Sequence, residues 1–374
     1  MIDRPEISEE LSQLVETDRV PHALLFLGNT GWGTLDVALQ LAETLLCQNI
    51  QQGKKCNQCK ACLKSSRQLH PDLHFAFPVI KKDNKKREDT TSKDFLADWR
   101  DMLETSRFFS AKEWAEKINA ENKQLNINTT ECNEIIKKLG LKSFEGANKV
   151  MIIYLAEYLG KEGNRLLKLI EEPPDDTFIF LIAENQKLIL NTILSRCQLF
   201  PVPPYQDATI KDYLEANNVN ESKHEEIIFL SQGNIRKAQN LLNDTSDFEL
   251  SGQLLKWLRL SYLLDSKPGD VFNWVNDFAK LGKTAQNAFL DYFLNFLREY
   301  QLSLLTDLPL RLSVSEQESA QKMKKIIDLH KVEKLSQIIN NLHYNLSRNA
   351  NVKIELTHTS MEICNLLHNK HVSI

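Results

Sequence analysis

Four of the chain's seven cysteines, Cys47, Cys56, Cys59 and Cys62, fall in one short segment with the spacing C-x8-C-x2-C-x2-C. Thiolates two residues apart on a tight turn can reach one ion, and four sulfurs suit tetrahedral zinc. Lys54, Lys55 and Lys60 are near enough in sequence to offset part of the charge of a four-thiolate site. Four protein ligands leave no open coordination position, so the expected Zn2+ is structural rather than catalytic. His70, the other nearby donor, is not needed to fill the shell. Cys132, Cys197 and Cys364 are isolated in the sequence and read as small apolar residues.

A second chemistry is outlined by "LFLGNTGWGTLDVA", residues 25–38, but its reactive groups are missing. A loop that grips a nucleoside triphosphate reads G-x-x-x-x-G-K-[ST]. Its backbone N–H groups cradle the phosphates, its Lys reaches the β and γ phosphates, and its hydroxyl holds magnesium. Here Gly28, Gly31 and Gly33 keep the glycine frame, while Thr34 stands in place of the Lys and Leu35 in place of the Ser or Thr. Turn geometry alone would also account for such glycines. The acidic residues expected where a core strand ends are lost as well: "VMIIYLAE" puts Tyr154 and Leu155 there and leaves Glu157 one residue late. Two losses on one reaction path argue against hydrolysis in this loop, and neither disturbs a fold. A third candidate is Arg196, in "NTILSRCQLF". An arginine at the edge of such a domain can reach a γ-phosphate held by a neighbouring subunit, where its planar, permanently charged fork stabilises phosphoryl transfer. A structural salt bridge is the alternative.

The elements that must position these residues follow from hydropathy patterning. "HALLFLG" (22–28) reads as a strand, and Leu35, Ala38, Leu39, Ala42, Leu45 and Leu46 recur at helical spacing behind the loop. "KVMIIYLA" (149–156) and "TFIFLIA" (177–183) are continuous apolar strands, the pattern of a sheet covered on both faces. Between them, "GNRLLKLIEEPP" reads as a helix ended by Pro173 and Pro174. Alternation of strands and helices implies a mostly parallel α/β sheet. Residues from about 79 to 125 interrupt this order and read as a surface insertion. Its basic start, Lys81, Lys82, Lys85, Lys86 and Arg87, reads as a solvated loop or, less simply, as a contact to a phosphate backbone. "PVPPY" after residue 200 marks a boundary. A short helical segment runs on to about residue 245. From Phe248 the pattern is helical throughout, with Phe289, Phe293, Leu297 and Tyr300 on one stripe and Leu335, Ile338, Ile339 and Leu342 on another.

At 374 residues the chain is expected to form two or three domains. Its composition, 42% hydrophobic and 26% charged, is that of a soluble globular protein. A net charge of -4 leaves any nucleic-acid contact to a local patch. The charged start "MIDRPEISEELSQLV" lacks the apolar run of a signal peptide, and no stretch reaches the roughly 18 apolar residues of a membrane helix, so the expected location is cytoplasmic, with no membrane contact.

Together these pieces resemble the bacterial clamp-loader subunits of the DNA polymerase III holoenzyme, an AAA+ family, and among them the delta-prime type. The likeness is carried by "PHALLFLGNTGWG", the four cysteines followed by "HPDL" (70–73), "INTTECNEIIKKLGLKSFEGANKVMII", "LLKLIEEPPDDTFIFLIAEN", "TILSRCQ" and the late "NANVKIELTHTSMEICNLL". The resemblance implies an AAA+ nucleotide-binding-like α/β domain over 1–204 with a zinc module at about 47–62, a small helical lid over 205–247 and an all-α collar over 248–374. It implies a degenerate phosphate loop (Gly28, Gly31, Gly33) without ATP hydrolysis in cis, and Arg196 as an arginine finger acting in trans. Arg236, in "GNIRKA", matches the family's lid arginine and is expected to be structural or vestigial. The implied partners are the motor (gamma/tau) and delta subunits and, through the complex, the sliding clamp and primer-template DNA. The resemblance offers no counterpart for the insertion at 79–125.

The implied function is that of a non-hydrolysing subunit of the complex that loads the sliding clamp onto primed DNA. One rival is an ATP-hydrolysing motor subunit with divergent motifs. It needs another cation in place of the missing Lys, and the next positive charge along the sequence after the loop is Lys54. A second rival, a stand-alone zinc-containing DNA-binding protein, needs a concentrated basic face.

Overall fold

The computed structural model describes residues 4–82, 89–120, 123–243, 250–306, 312, 314–348 and 350–369. They fall into two compact units, 1–240 and 241–374. Lys85, Lys86 and Arg87 of the basic run lie outside the described residues. Among the described residues no helix is long and apolar enough to cross a membrane.

The first unit is built on α1 (Pro5–Glu16), β1 (Ala23–Leu27), α2 (Thr34–Leu45), α3 (Lys60–Ser65), β2 (Leu73–Ala76), α4 (Leu96–Thr105), α5 (Ala111–Lys117), α6 (Thr129–Gly140) and β3 (Lys149–Tyr154). There follow a 3-10 stretch (Ala156–Leu166), α7 (Leu167–Glu171), β4 (Thr177–Ala183), α8 (Asn191–Leu194) and β5 (Gln198–Pro201). Helices α9 (Asp207–Ala216), α10 (His224–Ser231) and α11 (Ile235–Asn243) end this part of the chain. The five strands form one sheet in the order β2-β3-β4-β1-β5, and every pair is parallel. Alternation along each strand splits the core in two. Leu24, Phe26, Val150, Ile152, Phe180 and Ile182 face one layer of helices. Ala23, Leu25, Met151, Ile153, Ile179 and Leu181 face the other. That double covering explains the unbroken apolar runs of β3 and β4.

Two strands, β2 and β5, carry too little pattern to be read from sequence, since each has only four residues. Strand β3 stops at Tyr154 rather than Ala156 because Leu155 turns into the left-handed region at φ 53°. The segment expected to be a surface insertion is instead core in its helical part. Trp99 and Trp114 are 0% exposed. Trp99 stacks on Phe77 with ring centroids 4.4 Å apart and meets Trp114 edge-on at 5.5 Å, while Trp114 Nε1 donates to the Pro78 carbonyl at 2.7 Å. Large aromatic rings drive this burial, and charge between them in sequence hid it.

Among the described residues the second unit is α-helical: α12 (Leu250–Tyr262), α13 (Pro268–Phe278), α14 (Lys283–Leu305), α15 (Val314–Met323), α16 (Leu329–Ser347) and α17 (Val352–Leu367). Its core contains the stacked pair Trp257–Trp274 and the expected α14 stripe, with Phe289, Phe293, Leu297 and Tyr300 all 0% exposed.

Candidate functional site

Helix α2 joins the two candidate sites. Its last turn delivers Cys47, just past Leu45, to a knot formed by the following loop and α3. Cys59 is the N-cap of α3 and accepts from the Cys62 N–H. The four sulfurs lie within 4.8 Å of one another, with Cys47–Cys56 at 3.6 Å and both Cys47–Cys59 and Cys56–Cys62 at 4.0 Å. A tetrahedral ion with sulfur arms of about 2.3 Å would hold its ligands roughly 3.8 Å apart, so the arrangement already fits a four-thiolate metal. Backbone N–H groups point at the sulfurs: Asn49 and Cys56 donate to Cys47, Cys59 to Cys56, and Cys62 to Cys59, at 3.3 to 3.4 Å. Burial pushes the Cys59 thiol up, but N–H donors from Cys62 and Gln48 outweigh it and bring the thiol down to about 6. Burial pushes the Cys47 and Cys62 thiols up. Lys55 does not face the sulfurs alone, because its ammonium pairs with the buried Glu43. His70 is not among the grouped donors.

At the other end of α2 the glycine frame has the shape a phosphate loop requires. Gly31 and Gly33 adopt φ of 79° and 76°, which a side chain would strain. At Gly28 a Cβ would sit 2.7 Å from the Val202 carbonyl. The groups around this frame are spent on the protein itself. Thr30 Oγ1 donates to Glu184, the Asn234 amide to the Thr30 carbonyl at 2.7 Å, the Ile235 N–H to the Gly31 carbonyl at 3.0 Å, and the Arg4 guanidinium to the Trp32 carbonyl at 2.7 Å. Thr34, in the position of the missing Lys, is 6% exposed. The half-open cleft lined by Gly28, Gly33, Thr34, Arg107, Phe108 and Glu184 has an interior of about 20 Å³. That interior has room for about one water.

Sequence reasoning missed what fills it. Residues 106–110, between α4 and α5, bring Arg107, Phe108 and Phe109 against the loop. Arg107 is a cation beside the loop that the linear sequence, whose next positive charge after the loop is Lys54, did not offer. It is held by Asp36 at 2.8 Å and Glu43 at 3.3 Å, both on α2, and these carboxylates keep its charge firmly in place against burial. Tyr154, standing where an acid would hold magnesium, donates its hydroxyl to the Phe109 carbonyl at 3.0 Å and is buried. The lost acid and the filled pocket are therefore one feature. Glu157 accepts from the Glu184 and Asn185 N–H groups at the end of β4, so it braces a turn.

Arg196 lies immediately before β5, which is an edge of the sheet. Its guanidinium pairs with Glu171 and donates to the Thr192 carbonyl at 2.9 Å, with its side chain 32% exposed. Arg236 is engaged too: it bonds Glu113 of α5 at 2.7 Å through Nε, and Glu113 also caps α5 through the Ser110 N–H. The arginine partner and burial together set the Glu113 carboxyl; burial raises it, and Arg236 with Ser110 holds it below its ordinary range.

Fold and site together define a parallel α/β domain of the phosphate-loop kind, its loop filled by its own chain and a four-cysteine knot at the far end of the loop helix. Residues 3–206 match the family described as DNA polymerase III, delta subunit, and the chain belongs to that family. It is 28% identical over 303 residues to DNA polymerase III subunit delta' of Bacillus subtilis, covering 79% of this chain and 76% of that one. It is also 28% identical over 201 residues to the Escherichia coli subunit of the same name, covering 54% of this chain and about half, 48%, of that one. A DNA polymerase III subunit gamma of Buchnera aphidicola is 25% identical over 249 residues, covering 65% of this chain and 56% of that one. Overlay on a solved DNA polymerase III gamma subunit-related protein of Thermotoga maritima gives a TM-score of 0.38 at 15% identity over 96% of this chain and 99% of that one.

Proposed function

We propose that this chain is a non-hydrolysing, delta-prime-type subunit of a cytoplasmic bacterial clamp loader. It assembles with gamma/tau motor and delta subunits and acts through contact while ATP is cleaved elsewhere in the complex. The observation that carries the reading is the filled phosphate loop: Thr34 in place of the cation, Tyr154 in place of the acid, and Arg107 neutralised by two carboxylates of α2. In this reading 1–204 is the AAA+ domain, 205–247 the lid and 248–374 the collar, and the complex brings the chain to the sliding clamp and primed DNA. The four cysteines hold a structural Zn2+ that ties the loop helix to α3. Their complete thiolate set supplies no reactive position.

Arg196 is the finger supplied in trans. At the sheet edge about a third of its side chain is exposed and its partner Glu171 is itself 45% exposed, a pairing that costs little to exchange for a phosphate. The test is Arg196→Ala in a complex reconstituted with motor subunits. The mutant chain should fold and assemble normally while the DNA-stimulated ATPase of the complex falls at least tenfold; fingers of this kind contribute on the order of 10³ to 10⁵ in turnover. Unchanged hydrolysis in the assembled mutant complex would reject the role. Turnover of ATP by the isolated chain, abolished by changes around its own loop, would reject the wider reading.

A further inference from the structure

Cys364 looks isolated in the sequence, but the second unit gives it company. Cys364 and His368 are four residues apart at the end of α17, and the His368 N–H closes the helical bond to the Cys364 carbonyl at 3.0 Å. Residues so spaced share one helix face. Asp265 sits in the turn after α12, a helix held to α17 by Trp257 Nε1 donating to Ser360 Oγ at 2.9 Å. One donor atom from each of Asp265, Cys364 and His368 lies within 4.8 Å of the others. Apart from the four cysteines, this is the one such group among the described residues. The imidazole is already aimed: Nε2 bonds the Tyr262 carbonyl at 2.8 Å, and the ring stacks on that of Tyr262 with centroids 4.4 Å apart. An Nε2–H given to a carbonyl leaves Nδ1 as the ligating nitrogen, the outer-shell support that metal-bound histidines use.

We propose that Asp265, Cys364 and His368 form a second metal site, selective for a borderline-soft divalent ion such as Zn2+. Nitrogen, sulfur and carboxylate oxygen together suit zinc or cobalt and not the all-oxygen preference of magnesium or calcium. Zinc bonds of about 2.0 to 2.3 Å set neighbouring donors roughly 3.3 to 3.8 Å apart, so binding draws these side chains in by about 1 Å, a movement the exposed Asp265 can make on its turn. Cys364 is 2% exposed, which places the thiolate out of bulk water and its neighbours at the surface. The metal pins the end of α17 to the end of α12 and keeps a coordination position for water or an outside donor.

The experiment is metal titration of the full chain, stripped of metal and then loaded with Zn2+ or Co2+ under reducing conditions. The wild-type chain should take a second equivalent beyond the one bound by the four cysteines, with a Co2+ spectrum of a single-thiolate site added to that of a four-thiolate site. His368→Gln, at a partly exposed position where folding is safe, should weaken the second equivalent at least tenfold and leave the four-thiolate spectrum unchanged. Asp265→Asn should weaken it less. A single equivalent in the wild-type chain overturns the proposal. So does a second equivalent that persists unchanged in His368→Gln and Cys364→Ser, which marks adventitious binding elsewhere.

Discussion

One helix carries two candidate sites of opposite character. At its start, α2 leaves a loop whose ligand chemistry is gone while its backbone path survives; at its end it delivers Cys47 to a cluster with every donor in place. The difference lies in what each site asks of its residues. A four-thiolate site is all side chain, so the loss of any ligand empties it. A phosphate loop is mostly backbone, and its turn is also what lets β1 hand over to α2 beneath Asn234 and Ile235. The glycines serve the fold whether or not a lysine follows them. Substitutions at the two ends should therefore behave differently.

The largest expected effect is at the intact end. Cys59→Ser with Cys62→Ser removes two of the four proposed ligands. Loss of a structural metal of this type is expected to destabilise the segment by about 5 kcal/mol or more, since such ions supply folding free energy on the order of 10 kcal/mol. Limited proteolysis of residues 47–66 should accelerate sharply in the variant and in chelator-treated wild type. Equal resistance in both would remove the contrast.

Next in size is the aromatic packing behind the pocket, where Trp99 meets Phe109 and Tyr154. Trp99→Ala should cost about 3 to 5 kcal/mol, the usual penalty for a fully buried aromatic ring. A thermal midpoint shifted by less than a degree or two would return this segment to the surface role read from the sequence.

Restoring the motif should restore nothing. Thr34→Lys with Leu35→Thr rewrites the loop as G-x-x-x-x-G-K-T, yet Tyr154 and Phe109 still occupy the magnesium side and Arg107 still stands over α2. The new ammonium is forced into a site where Thr34 is 6% exposed, and should destabilise the chain by about 1 to 3 kcal/mol. Nucleotide titration and ATPase assays of the double variant should read as wild type. Hydrolysis regained by two substitutions would show that the pocket is only disarmed and not filled.

The long periodic elements were legible in the sequence because β3 and β4 are buried on both faces and their apolar runs are unbroken; the bounds of β4 come out as read. The cysteine cluster was legible because its spacing is local. The filling of the pocket was not. Arg107 reaches Asp36 across 71 positions, and Tyr154 meets Phe109 across 45, so no window of sequence holds both partners. The segment that does the filling opens with a charge run, and that hid Trp99 and Trp114, whose burial depends on Phe77 from another element. The grouping of Cys364 with Asp265 was not legible for the same reason: the two are neighbours only once α12 and α17 pack.

The smallest effect tests the electrostatics of the loop. Burial raises the Glu184 carboxyl above its ordinary 4.5; the Thr30 hydroxyl opposes the shift and the charge of Glu157 adds to it. A carboxyl raised on folding favours the native state while protonated, so its contribution is present below pH 4.5 and lost as pH climbs through the raised value. At neutral pH the charged Glu184 therefore weakens the fold that it braces. A phosphate loop with a bound cation would draw the carboxyl the other way. Glu184→Gln keeps an oxygen to accept from Thr30 and discards the charge. Its thermal midpoint should exceed that of wild type at pH 7 and converge with it as the pH falls toward 4. A difference that stays constant across this range, or reverses sign, would mean that the charge at Glu184 is balanced at the loop by something the chain does not itself provide.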